Sequence, residues 1–230
     1  MKILALDTTA CTSTVAVLNN EELLGIYTVN TSNKHSETLL PMVKNLLDTL
    51  CLTVSDIDAF AVSNGPGSFT GVRIGMATIK GLAFGKDAKC VEVSTIEALA
   101  RNLEGYEGIV CPIMNARRGQ VYTGAFLNGE RIINDTCMML EDLIPLLEKY
   151  DKKIYFTGDG YSLAEKMSIK GMEKTPEMLR YQNAYSVGKL AYEKLKKGEY
   201  TTDTDLRVEY LRKPQAERER EEKLEKENTK

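Results

Sequence analysis

The chain has no tryptophan and a single histidine, His35. One imidazole cannot make a multi-histidine metal site or the H-E-x-x-H motif of zinc hydrolases. It also leaves His35 as the only base for a Ser–His nucleophile. No G-x-S-x-G elbow is present; Ser68 lies in Gly65-Pro66-Gly67-Ser68-Phe69 instead. His35 sits in a polar stretch just ahead of a helical pattern, with no evident catalytic partner, and reads as a structural or interface residue. Cys11, Cys51, Cys90, Cys111 and Cys137 never form a C-x-x-C pair. Neither a zinc knuckle nor a dithiol redox site is indicated. An odd count without a leader sequence suggests reduced thiols in the cytosol, each a small buried apolar residue. The opening run MKILAL is too short for a signal or a membrane span, and no other run is long enough. A cytoplasmic location with no membrane partner is expected. Basic residues are not in excess, with 30 Lys and Arg against 33 Asp and Glu. Contact with RNA would therefore need a local patch or a basic partner.

What is present is enough apolar sequence, 43% of 230 residues, for one large domain or two small ones. Strands are expected at 3–6, 14–18 and 23–29, with Asn19-Asn20 as a tight turn. A helix follows, with Leu39, Val43, Leu46, Leu47 and Leu50 on one face. Ser36 or Thr38 can cap it, and Pro41 is expected in or near its first turn. Strand 57–62, a glycine loop, helix 69–84, strand 90–93 and helix 95–102 complete a first half. The pattern then restarts with strands 109–114, 120–127 and 131–137, the last two joined by Asn128-Gly129. Helix 141–149, strand 153–157, the Gly158-Asp159-Gly160 turn and helix 185–197 follow. The chain is expected to divide into similar α/β halves at 1–102 and 109–213. The tail 217–230 has six acids, five bases and one leucine, and cannot pack a core.

The glycine loop SNGPGSFTGVRIG, Ser63 to Gly75, invites comparison with phosphate cradles. It lacks the lysine of a Walker A loop, since Val72-Arg73 follow Gly71. It lacks the third glycine of a dinucleotide fingerprint, since position 70 is threonine. Gly71, Gly75, Gly81 and Gly85 run into the helix, where each interior glycine costs about 0.5–1 kcal/mol relative to alanine. Gly71, Gly75 and Thr78 share a face that lets another backbone approach closely. The opposite positions, Val72, Met76, Ile79 and Ala83, can pack on the sheet. The close approach can be within the domain or to a second chain, and both readings stand at this point.

The repeated strand, turn and hairpin resemble the actin, Hsp70 and sugar-kinase (ASKHA) fold. There the first turn is usually D-x-G-x-T; here it is Asp7-Thr8-Thr9, a residual nucleotide turn without its glycine. In more detail the sequence resembles the bacterial TsaB (YeaZ) family. MKILALDTT, His35-Ser36, Leu39-Leu40-Pro41, SNGPGSFTGVRIG, STIEALA, NARRGQVY, TGDG and YLRKPQAE occur in order across the chain. Asn115 stands where the family usually has aspartate. The resemblance implies a non-catalytic relative of TsaD, the subunit that transfers threonylcarbamoyl to the adenosine at position 37 of tRNAs reading ANN codons. TsaD is the implied partner, the ATPase TsaE joins, and a homodimer forms when the chain is alone. A separate enzyme makes the threonylcarbamoyl-adenylate donor. No catalytic residue, metal or cofactor of its own is expected, because Thr95 and Leu99 stand where TsaD carries its H-x-x-x-H metal ligands. The metal would belong to TsaD, the ATP to TsaE, and tRNA would be met mainly through the complex. The implied interface lies on the helices near 36–50 and 69–84, with His35, Leu39, Val43, Leu46, Gly71, Arg73, Gly75, Thr78 and Leu82 as candidates. The alternative is an independent ATP-dependent enzyme of the sugar-kinase-like fold that uses Asp7.

Overall fold

The structure is a computed structural model that describes residues 1–30 and 35–212. Two five-stranded sheets repeat one topology. In the first, β1 (Lys2–Asp7), β2 (Thr12–Asn19) and β3 (Glu22–Asn30) form an antiparallel meander. β4 (Ala59–Gly65) then lies parallel to β1, and β5 (Lys89–Ser94) parallel to β4, giving the order β3-β2-β1-β4-β5. In the second, β6 (Ile109–Asn115), β7 (Gln120–Leu127) and β8 (Glu130–Met139) form the meander. β9 (Ile154–Thr157) and β10 (Met172–Glu173) extend it in parallel, giving β10-β9-β6-β7-β8. The duplicated α/β architecture expected from the sequence is present.

Strand periodicity sets the two faces of the first sheet. Successive side chains point to opposite sides. Leu4, Leu6, Val15 and Val17 pack under α1 (His35–Thr49) and α2 (Phe69–Ala83). Ile3, Ala5, Ala16 and Leu18 face the other way, onto α6 (Ala184–Lys196). Fully burying one of these leucine, isoleucine or valine side chains stabilises by about 1.5–3 kcal/mol. In the second half, α4 (Leu140–Glu148) and α5 (Tyr161–Ala164) cover one face. The helix α3 (Thr95–Arg101) sits between the sheets. Its Ile96 and Leu99 join Ala10 from the first half and Met114, Ala116, Tyr122 and Phe126 from the second.

The contiguous second half at 109–213 is corrected here. Helix α6 and the segment after it return to the first sheet: Val187, Leu190 and Ala191 pack on β1 and β2, and Leu206 is buried in the core under α1 and α2. The amphipathic pattern of α6 requires a buried face, and the free face of the first sheet supplies its partner. Thr201 bridges Cys90 on the edge strand β5. Beyond it, Glu209 N–H donates to Asn64 O (2.8 Å), and Arg212 Nη1 reaches Ala116 O (2.8 Å) in the second half. Residues 201–212 thus strap the halves together. The tail 217–230 and most of YLRKPQAE lie outside the described residues.

Smaller differences have local causes. α1 begins at His35, so Pro41 is in the helix interior, on its exposed side. The elements α5 and β10 were not expected; with four and two residues they are too short to show a period. All five cysteines are free, but only Cys90 and Cys111 are buried. Cys51 is exposed, just past the end of α1.

Candidate functional site

In open α/β sheets ligands bind beyond the carboxyl ends of the parallel strands. Two turns stand there, one in each half. In the first, the Asp7 carboxylate is buried and accepts three hydrogen bonds. They come from Thr9 N–H (2.7 Å), the Thr9 hydroxyl (2.7 Å) and the Ser63 hydroxyl (2.5 Å). Burial pushes the Asp7 carboxyl above its ordinary range, and the Ser63 and Thr9 donors pull against it.

The glycine loop closes over this turn. Ser68 N–H donates to Thr9 O (2.7 Å), and the Thr8 hydroxyl donates to Gly71 O (2.8 Å). A β-carbon on Gly71 would lie 2.0 Å from Thr8 O, and one on Gly67 2.5 Å from Thr9 O. One on Gly75 would meet the Thr8 hydroxyl at 2.7 Å. Gly67 and Gly71 thus bring the loop and the first turn of α2 directly against the backbone of Thr8 and Thr9. The Ser68 hydroxyl accepts from Gly71 N–H and caps α2, so that helix N-terminus is also engaged.

These distances decide between the two readings of the glycines. The close approach is within the domain. Gly71 and Gly75 are buried and turn inward, together with Val72, Met76, Ile79 and Ala83. Leu39, Val43 and Leu46 are likewise core residues, between 1% and 2% exposed. These five interface candidates are corrected: an amphipathic helix turns its apolar stripe to its own sheet first. His35 is also held inside the chain. Its Nε2 donates to Ala10 O (2.7 Å), a carbonyl that can only accept, and its Nδ1 pairs with the Ser13 hydroxyl. It ties the start of α1 to the β1–β2 turn.

Arg73 is exposed, and Thr78 and Leu82 are half-buried. Arg73 Nε donates to the Tyr210 hydroxyl (2.8 Å), and the Tyr210 ring stacks on Phe69 with centroids 5.0 Å apart. The solvent side of α2 carries Arg73, Ala77 and Gly81, with Phe84 just beyond, 77% exposed. α1 packs beside α2 and exposes Leu40 (54%). Sequence reasoning missed Leu40, Ala77, Gly81 and Phe84. The signal was present as the complement of the core stripe.

In the second half, Asn115 N–H donates to Asp159 Oδ1 (3.0 Å) in the β9–α5 turn. Burial raises the Asp159 carboxyl, and the Asn115 and Gly160 amides oppose the shift. Asp159 was not singled out from the sequence, although it lies in the Gly158-Asp159-Gly160 turn. Thr95 and Leu99 are buried in α3, and Thr95 supplies no imidazole or carboxylate. Among the described residues no three His, Cys, Asp or Glu side chains come together as a metal-holding group. A cavity of about 400 Å³, lined in part by Leu103, Tyr106, Val110 and Phe126, lies at the opposite end of β6 from Asn115 and does not touch the two turns. No helix among the described residues is long and apolar enough to cross a membrane.

Comparison with known proteins gives one consistent result. Residues 12–220 match the family described as TsaD: tRNA N6-adenosine threonylcarbamoyltransferase. The chain is 37% identical over 171 residues to the tRNA threonylcarbamoyladenosine biosynthesis protein TsaB of Bacillus subtilis, covering 73% of this chain and 75% of that protein. It is 36% identical over 132 residues to the protein of the same name in Escherichia coli, covering 56% and 57%. Among solved structures it is similar to a Pseudomonas aeruginosa protein described as similar to peptidase YEAZ. The TM-score is 0.79 at 28% identity, over 92% of this chain and 99% of that one. A putative N-acetylmannosamine kinase from Listeria monocytogenes shares the fold at TM-score 0.50 and 12% identity, over 86% and 100%.

Proposed function

The chain belongs to the TsaB family of tRNA threonylcarbamoyladenosine biosynthesis proteins, and from that premise we propose that it serves as a non-catalytic partner of the threonylcarbamoyltransferase subunit TsaD. The observation that carries this is the closely packed first turn. Asp7 is engaged by Thr9 and Ser63, and Gly71 brings α2 against Thr8, where a kinase of this fold would keep room for phosphate. Both ring nitrogens of His35 are engaged within the chain, by Ser13 and Ala10. These contacts also weigh against an independent ATP-dependent enzyme built on Asp7.

The partner-facing surface in this proposal is the solvent side of α1 and α2: Leu40, Arg73, Ala77, Gly81 and Phe84, flanked by Thr78 and Leu82. Small residues at 77 and 81 leave room for a facing helix. The same face would join two copies of the chain in the absence of TsaD, the heterodimer replacing an isologous homodimer. TsaE would supply ATP hydrolysis, TsaD the metal and most tRNA contacts, all in the cytoplasm.

The test is reconstitution. TsaD, TsaE, threonylcarbamoyl-adenylate, ATP and tRNA are mixed with and without this chain, and modified adenosine is measured. The chain alone should be inactive and should restore activity to the mixture. Ala77→Arg should abolish co-elution with TsaD and leave the melting temperature unchanged. Modification by the chain alone, or micromolar ATP binding lost in Asp7→Ala, would overturn the proposal.

A further inference from the structure

The β6–β7 hairpin turns on Arg117, Arg118 and Gly119, with φ of 65°, 55° and 76°. The left-handed region is uncommon for residues other than glycine, asparagine and aspartate. The next hairpin of the same chain, β7–β8, uses Asn128-Gly129 (φ 52° and 84°), a pair that suits this backbone. Two arginines at such positions work against local preference, and outliers of this kind concentrate where a side chain is needed for function.

The turn is also braced. Asn115 Oδ1 accepts from Arg117 N–H (2.8 Å), and Asp159 holds Asn115 N–H (3.0 Å). Arg212 Nη1 donates to Ala116 O (2.8 Å), and Ala116 N–H to Gln120 O (2.9 Å). The guanidinium groups gain nothing from this bracing. Both side chains are exposed, and among the described residues neither makes an ion pair, hydrogen bond or ring contact. Each of the other six described arginines is engaged: Arg73, Arg101, Arg131, Arg180, Arg207 and Arg212. The turn stands at the carboxyl end of β6, where Ala116 packs with Ala10 of the first half.

Resting on the partner-subunit role above, we propose that Arg117 and Arg118 form a phosphodiester contact for tRNA held by the complex. A guanidinium presents paired N–H donors that match phosphate oxygens, and a braced backbone leaves only the two side chains to be ordered on binding. In a chain of net charge −3 this is a local basic site.

The test is the salt dependence of tRNA binding by the complete complex of this chain with TsaD and TsaE. The double variant Arg117→Asn with Arg118→Asn removes both charges and places a residue better suited to φ > 0. Its melting temperature should be equal or higher, and it should enter the complex normally. Its slope of log affinity against log salt should be shallower by about two, with affinity near 0.1 M salt reduced on the order of tenfold or more. Arg117→Lys with Arg118→Lys should keep the slope. Inorganic phosphate at millimolar concentration should compete no better with wild type than its ionic strength explains; specific competition would assign the site to free phosphate and overturn the contact. An unchanged slope in the Asn pair, or loss of TsaD binding by it, also overturns the contact. A wild-type chain that never enters the complex overturns the functional proposal, and this contact with it.

Discussion

Thr8 and Gly71 meet more closely than any side chain at position 71 would permit: Thr8 O lies 2.0 Å from where a β-carbon would be. The Thr8 hydroxyl then fixes the pair by donating to Gly71 O. Gly71→Ala should destabilise the fold by about 3 kcal/mol, the upper end for overpacking, because backbone and not a flexible side chain must move. Gly81 lies on the same helix, exposed, with nothing within 4 Å of its β-carbon position. Gly81→Ala should stabilise by about 0.5–1 kcal/mol. Urea unfolding of the two variants checks both signs; equal effects would refute the account.

Asp7 makes stability depend on pH. Its folded carboxyl is raised above the unfolded value by burial. Its favourable contribution is therefore complete below the unfolded pKa, about 4, and is lost as pH rises through the folded one. Asp7→Asn keeps the shape and removes the charge. Its stability relative to wild type should rise as pH increases from about 4 into the neutral range. Urea titrations at several pH values measure this; a difference that stays flat or falls would show that the Ser63 and Thr9 donors outweigh burial.

The strap gives a third test. Tyr210→Ala removes the stack on Phe69 and the acceptor of Arg73, and should cost about 1–2 kcal/mol. Tyr210→Phe keeps the stack and should lose about half as much. Denaturation midpoints with unchanged m-values would confirm it.

Thiol chemistry gives a fourth. Burial pushes the Cys90 thiol up to about 11 and the Cys111 thiol to about 12, while Cys51 is exposed. An aromatic disulfide reagent near pH 8 should modify Cys51 in the native protein and reach Cys90 and Cys111 only after denaturant is added. Fast native labelling of Cys111 would contradict its burial.

Local chemistry was legible in the sequence and long-range assignment was not. Asn128-Gly129 announced its turn, and the helical spacing of Leu39, Val43 and Leu46 announced a buried face. Nothing in that spacing said which surface would bury it, so a core stripe was read as an interface. The glycines of α2 showed that a backbone comes close. That this backbone is Thr8, 63 residues earlier, follows from sheet order, which no window on the sequence contains. The apolar face of α6 was equally clear, yet its partner sheet lies at the far end of the chain. Arg117 and Arg118 gave no periodic signal, because their meaning lies in φ.

The return of α6 to the first sheet has a consequence for synthesis on the ribosome. Until residues 184–196 emerge, Ile3, Ala5, Ala16 and Leu18 have no cover on their face. The first sheet is made first and completed last, so the nascent chain carries an open apolar surface through most of its translation. A truncation ahead of Ala184 should expose it permanently and lead to aggregation, although every strand of both sheets is present.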